Sequence, residues 1–170
     1  MLWGATLAAD TLPPGQVDFG SFSPPGGGGE FVEVNVSSAV IGLAAKFVEK
    51  EEPDIARLLN GLKLVHVNVI GMDEENRLDL GARIAKLRKE LEGKGWEKVV
   101  VAQQRDQNVG VYLKTRDKDT VQGLVVLAVD GNKAVVFVNV VGDIRPEQLS
   151  TLGERLHIDP LKNIGQHEDK

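Results

Sequence analysis

The chain of 170 residues contains no cysteine. Disulfides, thiolate nucleophiles and cysteine-ligated metals are therefore excluded, and the redox compartment stays open because a protein without thiols is indifferent to it. Aromatic residues are sparse at 5%, and the 20 Lys and Arg are outnumbered by 25 Asp and Glu, for a net charge of -5. A surface that binds nucleic acid needs a basic face to neutralise phosphates, so this balance argues against nucleic acid as a partner. No apolar run reaches the length of a membrane span. What is present, 42% hydrophobic and 26% charged residues, suits one globular domain with a single sizeable core.

One five-residue phrase organises that domain. It reads Val32-Glu33-Val34-Asn35-Val36, then Val65-His66-Val67-Asn68-Val69, then Val136-Phe137-Val138-Asn139-Val140. Each copy has the period of two that marks a strand, with the valines on one face and Asn on the other. The second and third copies continue alike, through Ile70-Gly71 and Val141-Gly142, toward an acidic turn and an amphipathic helix. Their spacing is too irregular for a solenoid.

Taken in order, residues 1–9 are apolar and rich in small side chains, running Leu2-Trp3-Gly4-Ala5-Thr6-Leu7-Ala8-Ala9. Two readings are open there: the remnant of a signal peptide that has lost its basic leader, or an N-terminal tail. Residues 10–29 form an arm or linker rich in Pro and Gly, in which Phe19 and Phe22 point to contact with an apolar surface. The globular domain is expected over 30–161, followed by a polar tail at 162–170. Within it, a strand at 30–36 leads to a helix capped by Ser37 or Ser38, with Ile41, Leu43, Ala44, Phe47 and Val48 as its apolar positions. Pro53 opens a short helix that Gly61 ends. A second strand at 64–70 precedes a long helix capped by Asp73, with Leu80, Ile84, Leu87 and Leu91 at helical spacing. Strands at 99–103, 109–114, 121–129 and 133–141 follow, and Asp130-Gly131 is the strongest hairpin signal among their turns. Pro146 starts a last helix carrying Leu149, Leu152 and Leu156. The strand at 121–129 is apolar on both sides, as a central strand covered on both faces would be.

Little chemistry accompanies this scaffold. Gly26 to Gly29 precedes a strand, whereas a phosphate-binding loop follows one and opens a helix. Asp117-Lys118-Asp119 opens like a calcium loop, yet position five is Val121 and no bidentate Glu follows. His66, His157 and His167 lack metal-ligand spacing, so no metal or cofactor is expected. Ser21 and Ser23 stand in the arm without a base, and Glu51 and Glu52 suit a helix start. One polar set merits attention: Glu33, Asn35, His66, Asn68 and Asn139 would line up on one sheet face if the three phrases are neighbouring strands. That strip could recognise a small polar ligand or a peptide, with Phe19 and Phe22 as part of the surface. The alternative, and the stronger expectation, is that each Asn bonds nearby backbone where its strand turns into a helix.

Several runs carry a family likeness. Val17-Asp18-Phe19-Gly20, Glu30-Phe31-Val32-Glu33-Val34-Asn35, Glu51-Glu52-Pro53 with Leu58-Leu59-Asn60-Gly61-Leu62, Gly95-Trp96-Glu97, Val109-Gly110-Val111-Tyr112, Gly123-Leu124-Val125-Val126 and Val140-Val141-Gly142-Asp143-Ile144 resemble the bacterial family called domain of unknown function 4252. The resemblance runs from about Asp18 to Leu161. It implies a small exported protein, periplasmic or extracellular, in an envelope-stress or regulatory setting, and it brings no catalytic residues.

The expected fold is α+β: a single sheet of about six strands, strand-helix units in the N-terminal half, an antiparallel meander in the C-terminal half, and helices mainly on one face. The expected function is a non-enzymatic binding or interaction module acting on a protein partner or by self-association. A small-ligand carrier using the open sheet face and the arm as a lid stands second, and an enzyme with carboxylate chemistry last. A deep cavity beside Asn35, Asn68 and Asn139 would favour the carrier, and a solid core with a flat apolar patch a protein partner.

Overall fold

The structure, a computed structural model, describes residues 12–155. Ten elements follow in order: β1 (Phe31–Ser37), α1 (Ser38–Val48), α2 (Pro53–Gly61), β2 (Leu62–Gly71), α3 (Arg77–Gly93), β3 (Glu97–Gln104), β4 (Gln107–Thr115), β5 (Val121–Asp130), β6 (Ala134–Ile144) and α4 (Pro146–Arg155). The readings placed on 1–9, 156–161 and 162–170 lie outside the described residues.

All six strands form one antiparallel sheet in the order β1-β2-β6-β5-β4-β3. The three Val-Asn phrases are therefore neighbours, on β1, β2 and β6. β2 and β6 set Val67 opposite Val138 and His66 opposite Asn139, so the two similar copies run side by side in opposite directions. The helices that follow them part company: α3 packs under one face and α4 under the other.

Alternation sorts the core into two layers. The valines of the phrases face the same side as Ile41 of α1, Leu58 of α2, Leu149 of α4 and the strand residues Leu124, Val126 and Val140. The other side buries Leu80, Ile84, Leu87 and Leu91 of α3 against Tyr112, Val125, Leu127 and Phe137. Three helices on one face and one on the other match the expected arrangement, and α3 shares its face with the arm, whose Phe19 is buried there. Each fully buried leucine of α3 contributes about 2 kcal/mol through burial.

Local chemistry explains most element ends, with two departures from the sequence reading. Asp73 does act as a cap, one turn earlier than the α-helix proper. Its Oδ1 accepts from Asn76 N at 2.8 Å while Asn76 Oδ1 accepts from Asp73 N at 2.8 Å, a reciprocal capping box that feeds α3. On α1, the side chain of the N-cap residue Ser37 makes no capping bond. The apolar positions of α1 are also divided differently: Ile41 and Ala45 are buried, whereas Leu43, Ala44 and Phe47 are exposed. Helical geometry puts 43, 44 and 47 on a side that neither the sheet nor α2 reaches.

Candidate functional site

The sheet face bearing the polar strip is occupied by the chain's own arm. Pro13-Pro14-Gly15 makes a turn closed by Gln16 N donating to Pro13 O at 3.0 Å, and the segment from Gln16 to Pro24 then crosses the face without regular structure. Asn139, fully buried on β6, holds it. Its Nδ2 donates to Gly15 O at 2.9 Å and to Leu124 O at 3.1 Å, while its Oδ1 accepts from Val17 N at 2.8 Å. One amide thus reads two arm peptides and one strand peptide, and both of its N–H donors are used.

Beside this clamp the two arm phenylalanines find partners. The ring of Phe19 lies 5.7 Å from that of His66 and 5.4 Å from that of Phe137, and Phe22 lies 4.9 Å from Phe137. Arg83 of α3 spans the outer side: its guanidinium stands 5.0 Å from the Phe22 ring and its Nη1 donates to Ser21 O at 2.8 Å. Close approach at the clamp depends on two glycines. Gly15 has φ +87° and a Cβ there would overlap the Gln122 carbonyl; a Cβ on Gly123 would come within 2.5 Å of Gly15 Cα and 2.7 Å of Trp96 Cη2.

The remaining members of the strip are placed as the alternation required. Glu33 lies opposite Asn68, and Asn35 opposite His66; both β1 residues are exposed, while Asn68 is buried. The expectation that each Asn serves the exit of its own strand is corrected at Asn139, which bonds backbone from residues 122 and 124 positions away and from the neighbouring strand. The reason is topological: β6 lies in the middle of the sheet, so its Asn faces whatever covers the centre. His66 Nε2 and Asn68 Oδ1 are buried without a hydrogen-bond partner among the described residues.

Clefts flank the arm at both ends. One of about 320 Å³ lies between Pro14, the Ser37-Ser38 start of α1, Lys63, Arg116 and Asp143. Another of about 320 Å³ lies between Phe22, Asp73, Asp79 and Arg83. Neither opens onto Asn139. Titration is displaced elsewhere: Lys98 is raised, chiefly by its hydrogen bond to Glu92, and Asp117 is lowered, chiefly by the backbone N–H of Asp119. No group of His, Asp and Glu suited to a metal ion occurs among the described residues, and no helix there is long and apolar enough to cross a membrane.

A second surface was not singled out by the sequence reading. α1 carries Val40, Leu43 and Phe47, at 57%, 56% and 78% exposure, and β1 beside it shows Val32 and Val34 at 38% and 39%. These five belong to the helix-bearing side and form one apolar margin. The signal for it was available: within Ser38–Val48 the only charged residue is Lys46, and a helix apolar on all sides expects cover on all sides.

The fold and its strap define the class: an α+β protein whose described strands form one antiparallel six-stranded sheet, with one face covered jointly by α3 and the chain's own arm. The chain belongs to the family described as a domain of unknown function (DUF4252), whose sequence profile matches residues 27–152. That match takes in Asn139 and leaves the arm's Phe19 and Phe22 outside it. No curated protein and no solved structure matches the chain.

Proposed function

We propose that this chain is an exported, non-enzymatic interaction module whose working surface is the α1 margin. The observation that carries the reading is the contrast in cover. Asn139 and His66, the two members of the polar strip nearest the centre of the sheet, are engaged by Gly15, Val17 and Phe19, whereas Val40, Leu43 and Phe47 stand in solvent on one side of one helix. Contiguous exposed apolar side chains on a soluble domain mark places where another protein sits. Export is supported by the apolar, small-residue run Leu2 to Ala9.

A photo-crosslinking residue at position 43, used in an envelope extract, tests the surface. A discrete crosslinked protein that disappears with Phe47→Glu is expected, and crosslinking indifferent to Phe47 would overturn the reading. N-terminal sequencing of the mature protein tests export; a cytoplasmic protein that retains Met1 would remove that part. The small-ligand reading keeps one supporting observation, the buried His66 Nε2 and Asn68 Oδ1 without a hydrogen-bond partner among the described residues. Thermal stabilisation by a polar metabolite, abolished by Asn68→Leu, would favour it.

A further inference from the structure

We infer that the partner of the α1 margin is a second copy of this chain, joined edge to edge through β1 with α1 packing on its symmetry mate. The inference rests on the interaction-module reading and specifies its partner. Three observations point to self-pairing.

The first is the difference between the two edges of the sheet. An exposed edge strand is normally blunted by charge, proline or a bulge, because its free N–H and C=O groups template another strand. The β3 edge is blunted: its register shifts between Lys98 and Val100, and it carries Glu97 and Lys98. The β1 edge is not. Its register with β2 is unbroken from Phe31 to Ser37, it contains no Pro, and its one charge, Glu33, lies on the face away from Val32 and Val34.

The second is self-complementarity. A two-fold interface joins one patch to itself, so a charged patch would repel its own copy. Here the side chains offered are Val32, Val34, Val40, Leu43 and Phe47, and Glu33 points to the other face of the sheet. α1 packs on β1, β2 and α2, and α2 in turn reaches β6. α1 and the exposed valines of β1 therefore stand at the same edge of the sheet, and both can meet a copy across one axis.

The third is size. At their observed exposures the five side chains present on the order of 500 Å² per copy, so two faces together reach the ~1,000 Å² at which stable interfaces begin, before the paired edge backbone is counted.

Sedimentation of the full chain between about 1 and 100 μM, the range in which interfaces of this size commonly form, decides the matter. A mass twice the 18.4 kDa of one chain is expected. Phe47→Glu and, separately, Val34→Lys should weaken the dimer at least about thirtyfold, since each buries a charge twice in the symmetric interface. Val101→Lys on the β3 edge should leave it unchanged. Because residues 34 and 47 are exposed, unaltered circular dichroism is expected for both variants, and Leu43→Lys serves if either fails to fold. A monomer across the range overturns the inference, as does a dimer indifferent to positions 34 and 47. If the chain is monomeric yet crosslinks a different protein in a Phe47-dependent way, the interaction-module reading stands alone. If it does neither, both fall.

Discussion

On one face of the sheet, Phe19 and Phe22 lie against His66 and Phe137, and α3 presses four leucine and isoleucine side chains onto the strands. On the other, α1 buries Ile41 and Ala45 while Val40, Leu43 and Phe47 meet water. The two regions differ little in composition at the strands, since valine and leucine dominate both layers. They differ in where cover comes from. The arm is tethered to the face it covers and is held by hydrogen bonds to a buried amide, so its cover is intramolecular. The α1 margin has no such tether. Apolar surface near the arm is thus closed by the chain itself, whereas the largest group of exposed apolar side chains, five of them, stands at the β1 and α1 edge, with Val99 and Val101 on the β3 edge and Leu78 on α3 exposed singly or in a pair.

Changes on the arm side should therefore cost stability, and changes on the α1 side should cost association. The largest effect is expected from deleting residues 12–26. Losing the buried Phe19 and every arm partner of Asn139 should cost roughly 4–6 kcal/mol, lowering the melting temperature by at least about 10 °C in a domain of this size. A deletion that leaves the melting curve in place would mean that the two regions are equivalent after all. Next comes Asn139→Leu, which removes the clamp but keeps the arm. With Gly15 O, Val17 N and Leu124 O left without it, a loss of about 2–4 kcal/mol is expected by denaturant titration, against less than ~0.5 kcal/mol for Asn35→Leu on the exposed part of the strip. Equal effects at 139 and 35 would show that the clamp contributes nothing special. Gly123→Ala should cost about 1–3 kcal/mol by forcing Gly15 and Trp96 apart, and hydrogen exchange at Val17 N should accelerate in parallel. The smallest stability effect belongs to Phe47→Ser, within ~0.5 kcal/mol of the parent, although it should weaken association. That association should survive 0.5 M salt, because an apolar contact between two acidic chains is not held by charge; dissociation at high salt would point to an ionic interface instead.

Much of the architecture could be read from the sequence because it rests on periodicity. The alternation of Val32 through Val36, Val65 through Val69 and Val136 through Val140 set the faces correctly, and the spacing of Leu80, Ile84, Leu87 and Leu91 set the buried side of α3. Strand order was another matter. β6 inserts between β2 and β5, and no local pattern records which earlier strand a later one will join. The role of Asn139 followed from that insertion, so a local hydrogen bond was the natural expectation and the long-range clamp was not. The arm's docking was partly legible, since two phenylalanines in a Pro/Gly-rich segment need apolar cover. Its path was not, because the path depends on Gly15 meeting Gly123, two residues far apart in sequence that touch only in the folded sheet. α1 illustrates the opposite failure. Of the five apolar positions read along it only Ile41 is buried, because a helix resting on a sheet edge has only part of its circumference to bury.

The position of β6 has a consequence for how the molecule comes into being. Among the described strands, the one at the middle of the sheet is the last made, joining β2 on one side and β5 on the other, and it carries the residue that fastens the first described segment. During synthesis β1-β2 and β3-β4-β5 can each form as separate ribbons, but the two halves have no common neighbouring strand until residues 134–144 have emerged. Arm docking must wait for the same event. The nascent chain therefore carries its aromatic strap unfastened until β6 emerges, and truncation between Asp130 and Ala134 should yield two unjoined ribbons in place of a shortened domain. Folding here is a property of the finished chain, closed by its last strand from the inside.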